Sequence, residues 1–515
     1  MEDDIEPGGI PNRRRSSWKT FIVDASPIFR RPYTLNTTVT GISLSVEPQL
    51  LENLPKLTYE ESQCQGRLMS FIVGDDLQKG SLQKACQWYS RHLQMRFKEA
   101  WYLLARSLVG LVDDSSEPKP GDLVVVYDFV LAVARLLSVK KNVALVEFVD
   151  QLDNDSLLKP QLDDERAKPN QIVFAALGWL TMFYEAVPDP GADSLEVKKT
   201  STSSSGLRNA LITRKYSSFQ QGFEYIAQPL DTMLDHFGCL IPMPRIRPLH
   251  PQWLSGNQQS EVIMVHSICF NFLHQIAGLR IEWVSSLTLH LELDSERKTL
   301  KLFQYPSFCR MMMRDHKNHV LSRLLNDHAE RFCEDVNTPD IPTALLFEEI
   351  LRSYRLIFGQ DERSWKAFSK MLTKVEEDQG QGRTISACDP LLHVLCGQSS
   401  TSPEARKIYD EIDCRRDTNL NEQTTYCNPD TFPFFGKRLL ELQQFDKQHQ
   451  PQTVRSLLGD KRDVGAWFTL WNNQLLVFFA TFTILLMVVS LGFQIWQTIL
   501  SKQQLQQGPG TVSGS

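Results

Sequence analysis

Four side chains beyond the middle of the chain have the chemistry of a metal site. His316 and His319 lie three apart, so a helix would bring them to one face, and His328 and Cys333 follow. Imidazole and thiolate together suit zinc. The spacing fits no closed Cys/His pattern, however, and Asp315, Lys317 and Asp327 between them belong on a solvated surface, so the segment reads as an exposed helix. A tighter trio, Cys388, His393 and Cys396, sits in the apolar run Asp-Pro-Leu-Leu-His-Val-Leu-Cys. That setting suits a buried histidine with a backbone partner better than a ligand set. The phosphate-binding GxxxxGK[ST] pattern is missing: Gly436-Lys437 has no upstream glycine, and Gly380-Gln381-Gly382 follows no strand. GxSxG and HExxH are also absent. No catalytic, cofactor-binding or metal-binding residue is assigned from these patterns, and no cofactor is expected.

A modification site is the next candidate. In Arg13-Arg14-Arg15-Ser16-Ser17, two arginines stand correctly before either serine for a basophilic kinase, which makes Ser16 and Ser17 candidate phosphorylation sites. A phosphate would add roughly −1.5 to −2 charge and cancel part of the cluster. With Lys19, Arg30 and Arg31 the cluster could instead touch an anionic leaflet, at roughly 1 kcal/mol per residue near the surface. A solvated arm without a partner is the simpler reading.

The strongest pattern is apolar. Leu475 to Phe493 reads LLVFFATFTILLMVVSLGF without a charged residue. As a helix it rises roughly 28 Å, close to the ~30 Å hydrocarbon core of a bilayer. A core helix of this length would keep a polar face. Trp467 and Trp471 before the run and Trp496 after it are placed as interfacial anchors. Arg455, Lys461 and Arg462 precede the run and only Lys502 follows, so the body should be cytosolic and the tail should cross. A single span so close to the C-terminus describes a tail-anchored, single-pass protein, with endomembranes favoured over the mitochondrial outer membrane. Two other apolar stretches, Leu123–Val139 and Ile172–Val187, are too charged or too short to span and read as buried helices.

Composition agrees with a globular body. With 42% apolar and 23% charged residues the chain is neither disordered nor fibrous. A net charge of −6 argues against nucleic acid as a partner. The ten cysteines are scattered, with no CxxC pair, and read as buried thiols of a reduced compartment. The N-terminus has no signal-peptide core, so the sequons at Asn36 and Asn154 should stay bare.

These elements arrange as a mobile arm (1–50), a helical region (51–187), a Ser/Pro-rich linker or loop (188–215), a second helical region (216–465), a transmembrane helix with aromatic flanks (466–500) and a short polar tail (501–515). Trp88, Leu93, Phe97, Trp101, Leu104 and Leu108 recur at helical spacing. Residues 342–358 form a helix opened by Asp340 and Pro342 and ended by Gly359, with Leu346, Ile350, Tyr354 and Ile357 inside and Arg352 and Arg355 outside. Asp361 opens another helix through Trp365 and Phe368. Residues 287–304 alternate leucines with Thr288, His290 and Glu292, turn at Asp294–Lys298, and resume at Thr299–Phe303, which predicts a β-hairpin. The fold class is therefore mainly α, with a small antiparallel hairpin and one C-terminal transmembrane helix.

Four blocks carry a resemblance: QIVFAALGWLTMFYE from Gln171, IAGLRIEWVSSLTLHLELDSERKTLKLFQYPSFC ending at Cys309, EEILRSYRLIFGQ from Glu348, and RSLLGDKRDVGAWFTLW ending at Trp471. Together they resemble an uncharacterised filamentous-fungal family of proteins with a single C-terminal transmembrane helix, over most of residues 165–500. The resemblance implies the anchored architecture and brings no activity, cofactor or catalytic residue. Three functions compete: a membrane-anchored scaffold or adaptor with protein partners, a membrane-associated enzyme with an unrecognised site, and a lipid-handling protein. The enzyme needs a ligand-sized pocket of converging titratable groups, and the lipid handler needs an apolar cavity near the bilayer. The scaffold needs neither and is the expectation.

Overall fold

The computed structural model describes residues 56–74, 80–112, 117–160, 167–188, 194–201, 216–238, 240–242, 262–313, 321, 323–326, 328, 343–378, 389–397, 424–427, 431–449 and 464–506. All of them belong to the unit Gly41–Ser515. The first helix, α1 (Tyr59–Val73), starts at a capping box. The Glu61 amide donates to Thr58 Oγ1 (3.3 Å) and the Thr58 amide to Glu61 Oε2 (2.7 Å), which satisfies two otherwise orphaned donors. Glu61 Oε1 also accepts from the Gly121 amide at 2.8 Å, so one buried carboxylate ties this helix start to the turn before α4.

Helices α2 (Gly80–Glu99) and α3 (Trp101–Ser107) bury the stripe their spacing predicts, with Leu93, Phe97, Leu104 and Leu108 fully enclosed. Leu123–Val139 lies in α4 (Asp122–Val139). Of Ile172–Val187, after α5 (Leu145–Asn154), only the part to Thr181 is helical, in α6 (Ala167–Thr181), and Met182, at φ +52°, turns the chain out of the helix. Ile172 through Leu177 are buried at six successive positions, so α6 has no polar face there. It is enclosed by α3, α4, α5 and strand β1 (Ser194–Ser201).

That strand corrects the expected linker. Leu195 and Val197 are buried, and β1 pairs antiparallel with β2 (Tyr216–Gly222), with a register break between Lys198 and Thr200. Two apolar residues at strand spacing suffice once α6 supplies a surface to cover them. Residues 202–215 lie outside the described residues.

Next come α7 (Leu230–His236), β3 (Val262–Met264), α8 (Val265–Ile268), α9 (Phe270–Gln275) and β4 (Arg280–Val284). The predicted hairpin is reduced to its turn. Leu287–Leu289 is a 3-10 turn, and only β5 (Leu293–Asp294) pairs antiparallel with β6 (Thr299–Phe303). The other edge of β6 is taken by β4, in parallel register from Arg280↔Thr299 to Val284↔Phe303. The physical reason is tertiary hydrogen bonding. Ser286 Oγ and Thr288 Oγ1 both donate to Phe183 O (2.6 and 2.8 Å), and the Leu287 amide donates to Met182 O (2.8 Å). Leu291, at φ +62°, then turns the chain out of extended geometry. Thr288 and His290, which alternate with the leucines in the sequence, are buried as Leu287 and Leu291 are.

Helix α10 (Pro306–Met312) is buried along its whole length between α2 and α11 (Thr343–Tyr354). Asp340 and Pro342 lie outside the described residues. Leu346, Ile350, Tyr354 and Ile357 are fully buried, as their spacing predicts. Arg355 is buried too, against expectation, because α11 runs into a π turn (Arg355–Gly359) that carries it inward. Its Nη1 donates to the carbonyls of Leu395 (3.0 Å) and Gly397. A Cβ at Gly359 would collide with that guanidinium, so the position takes glycine.

Asp361 Oδ2 caps α12 (Glu362–Asp378) by accepting from the Ser364 amide at 2.8 Å. Helix α13 (Pro390–Leu395), β7 (Thr425–Cys427, antiparallel to β3), α14 (Gly436–Gln448) and α15 (Val464–Gln506) are the remaining elements among the described residues. The fold is mainly helical, 67% of the described residues, with small sheets. One apolar core runs from Cys64 to Phe445 and draws on both sides of residues 188–215. Across it the Tyr89 and Phe308 rings lie 5.3 Å apart, and Cys86 Sγ is 3.8 Å from Met311 Sδ.

Candidate membrane anchor and buried polar clusters

Helix α15 is where the chain departs from globular rules. Within it, Trp471–Gln504 is long and apolar enough to cross a membrane, and none of its most apolar window is buried in the protein. Leu475, Phe478, Leu485, Val488 and Phe493 are all exposed, whereas most large apolar side chains described in the body are buried. A contiguous apolar surface of this size is unfavourable in water and favourable in hydrocarbon. The hydroxyls of Thr481 and Thr483 are satisfied within the helix. Thr481 Oγ1 donates to Val477 O (2.9 Å) and Thr483 Oγ1 to Phe479 O (2.8 Å), each one turn back on its own helix. Trp471 and Trp496 bracket the run and are exposed. Trp467 lies on the same helix, with its side chain outside the described residues.

The other candidates divide between residues the structure places and residues it does not. His316, His319 and Cys333 lie outside the described residues, as do Ser16, Ser17 and Cys388. His328 is buried, with Nδ1 3.6 Å from Asp235 Oδ2, which corrects the reading of a solvated helix at that position. Among the described residues, no group of three or more His, Cys, Asp or Glu side chains is arranged to hold a metal ion. Cys396 is fully buried; His393 sits in α13 with its side chain undescribed. Cys64, Cys86, Cys269 and Cys309 are likewise buried thiols.

Sequence reasoning missed three buried polar clusters. The first joins α2 to the loop after α6 and to β1. Glu185 Oε1 accepts from Arg96 Nη1 and from Lys198 Nζ, both at 2.6 Å, and Arg96 also donates to Glu99 (2.7 Å). Burial alone would raise the Glu185 carboxyl, but the two cations outweigh it and hold it well below the usual range. His92, one turn before Arg96, is kept neutral by burial and by that guanidinium. A signal existed: His92 and Arg96 fall between Tyr89, Leu93 and Phe97, on the stripe that becomes core.

The second cluster pairs a serine with a histidine, as a hydrolase would. His290 Nδ1 accepts from the Phe303 amide (3.2 Å), so Nε2 carries the proton and donates to Ser353 Oγ (2.7 Å). Ser353 in turn donates to Ile350 O (2.7 Å). A general base must accept the serine proton, and here the bonds run the other way. Both residues are fully buried. The pair ties β6 to α11.

In the third, buried carboxylates hold helix starts. Glu349 accepts from the Phe434 amide (2.8 Å) and the Phe435 amide ahead of α14, and burial pushes its carboxyl up to about 8. Asp389 accepts from the Ser307 amide (2.7 Å), Ser307 Oγ (2.6 Å) and the Leu391 amide (2.9 Å), joining α10 to α13; burial pushes it up to about 6.

Two cavities among the described residues are lined by charged groups. One, of about 10 Å³, is bounded by His92, Arg96, Trp179, Tyr184, Glu185 and Ser285; the other, of about 20 Å³, lies near Lys140, Asp231 and Arg323. Each has room for about one water. Fold and site together define a class: a mainly helical body carrying one helix long and apolar enough to span a membrane. No protein family, curated protein or solved structure matches this chain.

Proposed function

We propose that this is a single-pass membrane protein whose helical body acts as a scaffold or adaptor for protein partners in the cytosol. The observation that carries the reading is the contrast within one chain: the body gathers most of its described apolar side chains into a core, while α15 exposes those of its apolar residues from Trp471 to Leu500. Such a helix needs a bilayer, and its uncharged run with threonine hydroxyls bonded to its own backbone suits an anchor rather than a conduit. The polar clusters of the body are spent on joining elements, which favours a presented surface over an enclosed reaction site. Arg455, Lys461 and Arg462 before the span, against Lys502 after it, favour a cytosolic body, and the strongly apolar span with its weakly basic tail favours an endomembrane. Membership of the fungal family that the four sequence blocks resemble is part of the same proposal.

Purifying the tagged chain from membranes in mild detergent tests the role. Stoichiometric protein partners that become soluble when residues 464–515 are removed are the expected result; co-purified lipid in place of protein would favour lipid handling. Asn154 is exposed at the end of α5 and reports orientation. It should stay unmodified while a glycosylation acceptor appended after Ser515 is modified in the endoplasmic reticulum. The reverse pattern would place the body in the lumen and remove the cytosolic role.

A further inference from the structure

The pattern of α15 changes after Phe493. Gln494, Gln497, Thr498 and Ser501 recur at i, i+3, i+4 and i+7 and share one face; Ile495, Trp496, Ile499 and Leu500 occupy the opposite one. These four apolar residues are 55%, 66%, 53% and 44% exposed. On the polar face, Thr498 Oγ1 donates to Gln494 O and Ser501 Oγ to Gln497 O, both at 2.8 Å. The helix is one element from Val464 to Gln506 with no proline in it, so this segment keeps the axis of the span and cannot fold back on its own.

Length then decides where it lies. Leu475 to Phe493 rises about 28 Å, which already fills a ~30 Å hydrocarbon core. Leu475 to Leu500 rises about 38 Å. An upright helix centred on the uniformly apolar part would hold Trp496, Ile499 and Leu500 beyond the hydrocarbon, against headgroups and water on every side instead of acyl chains. Leaning toward the Ile495–Trp496–Ile499–Leu500 face lays these residues into the headgroup–acyl boundary and lifts the glutamine face to water, the disposition of an interfacial amphipathic helix. Lys502 follows, where its ammonium reaches lipid phosphates. We propose that Ile495, Trp496, Ile499 and Leu500 form a lipid-docking face that sets the direction in which the span tilts, its occupant being the surface of the same bilayer. The proposal rests on the anchoring reading and is tested separately from it.

The test places a photoreactive benzophenone side chain, one position at a time, at 496, 499, 497, 501 and mid-span 482 of the full chain. Each protein is reconstituted in phosphatidylcholine vesicles, irradiated, and examined for lipid adducts by mass spectrometry. Adducts should form at 482, 496 and 499 and fall about fivefold at 497 and 501, following the faces of the helix. Equal yields at all four C-terminal positions would overturn the docking face. So would crosslinks from 496 and 499 to a second copy of the chain in place of lipid. Loss of adducts at 482 would instead overturn the anchor, and this proposal with it.

Discussion

Glu349 shows how single residues in this body are given to structure. Its two oxygens hold the amides of Phe434 and Phe435, yet burial raises the carboxyl to about 8, so the folded state binds a proton more tightly than the unfolded chain. Stability from this group is complete below the unfolded value of 4.5 and is lost as pH rises through about 8. Asp389 acts in the same direction lower down, up to about 6. His92 and His290, both lowered by burial, act oppositely, and their contribution is lost only below the unfolded value of 6.5. Among the described residues the decline between pH 6.5 and 8 therefore comes mainly from Glu349, at about 2 kcal/mol over that range. Chemical denaturation of the purified chain at pH 6.5 and 8 should show this loss, and Glu349→Gln should flatten it; an unchanged slope would mean the carboxyl is already ionised. Little of this was legible beforehand. A carboxylate that takes backbone amides from a distant segment has no local spacing to announce it, and His290 and Arg355 were read from helix and strand periods that tertiary bonds overrode.

At the scale of elements, helices were legible wherever one face alone had to be apolar. The stripes of α2, α3 and α11 are the buried stripes of the structure, and the uninterrupted run in α6 is a helix covered on every side. Strands were not, because their partners are distant in sequence. The alternation at 287–293 suits a strand in isolation, but Phe183 O and Met182 O capture Ser286, Leu287 and Thr288 and leave the edge of β6 to β4. The half that persists is testable. Leu302 is fully buried on β6, the middle strand of the order β4-β6-β5, so Leu302→Asp places an unpaired charge in the core. We expect this variant to lose cooperative thermal unfolding or to be lost to aggregation. A soluble Leu302→Asp protein of unchanged melting temperature would contradict the packing described for that sheet.

At the scale of the whole molecule, two solvents divide the chain. Between Cys64 and Phe445 most of the described apolar side chains turn inward around a core, and from Trp471 to Gln504 they turn outward. This division was plain in the sequence, because a long uncharged run with flanking tryptophans requires no partner element to be recognised. What the body presents to a partner was not, since a docking surface is defined by residues that local periodicity treats as solvated. The central claim is that α15 alone holds the protein to a membrane. Carbonate extraction of membranes carrying the full chain, compared with a chain ending at Gln474, measures it directly. The full chain should stay in the pellet and the shortened body should move wholly to the supernatant as a folded protein; a shortened body that resists extraction would contradict the account.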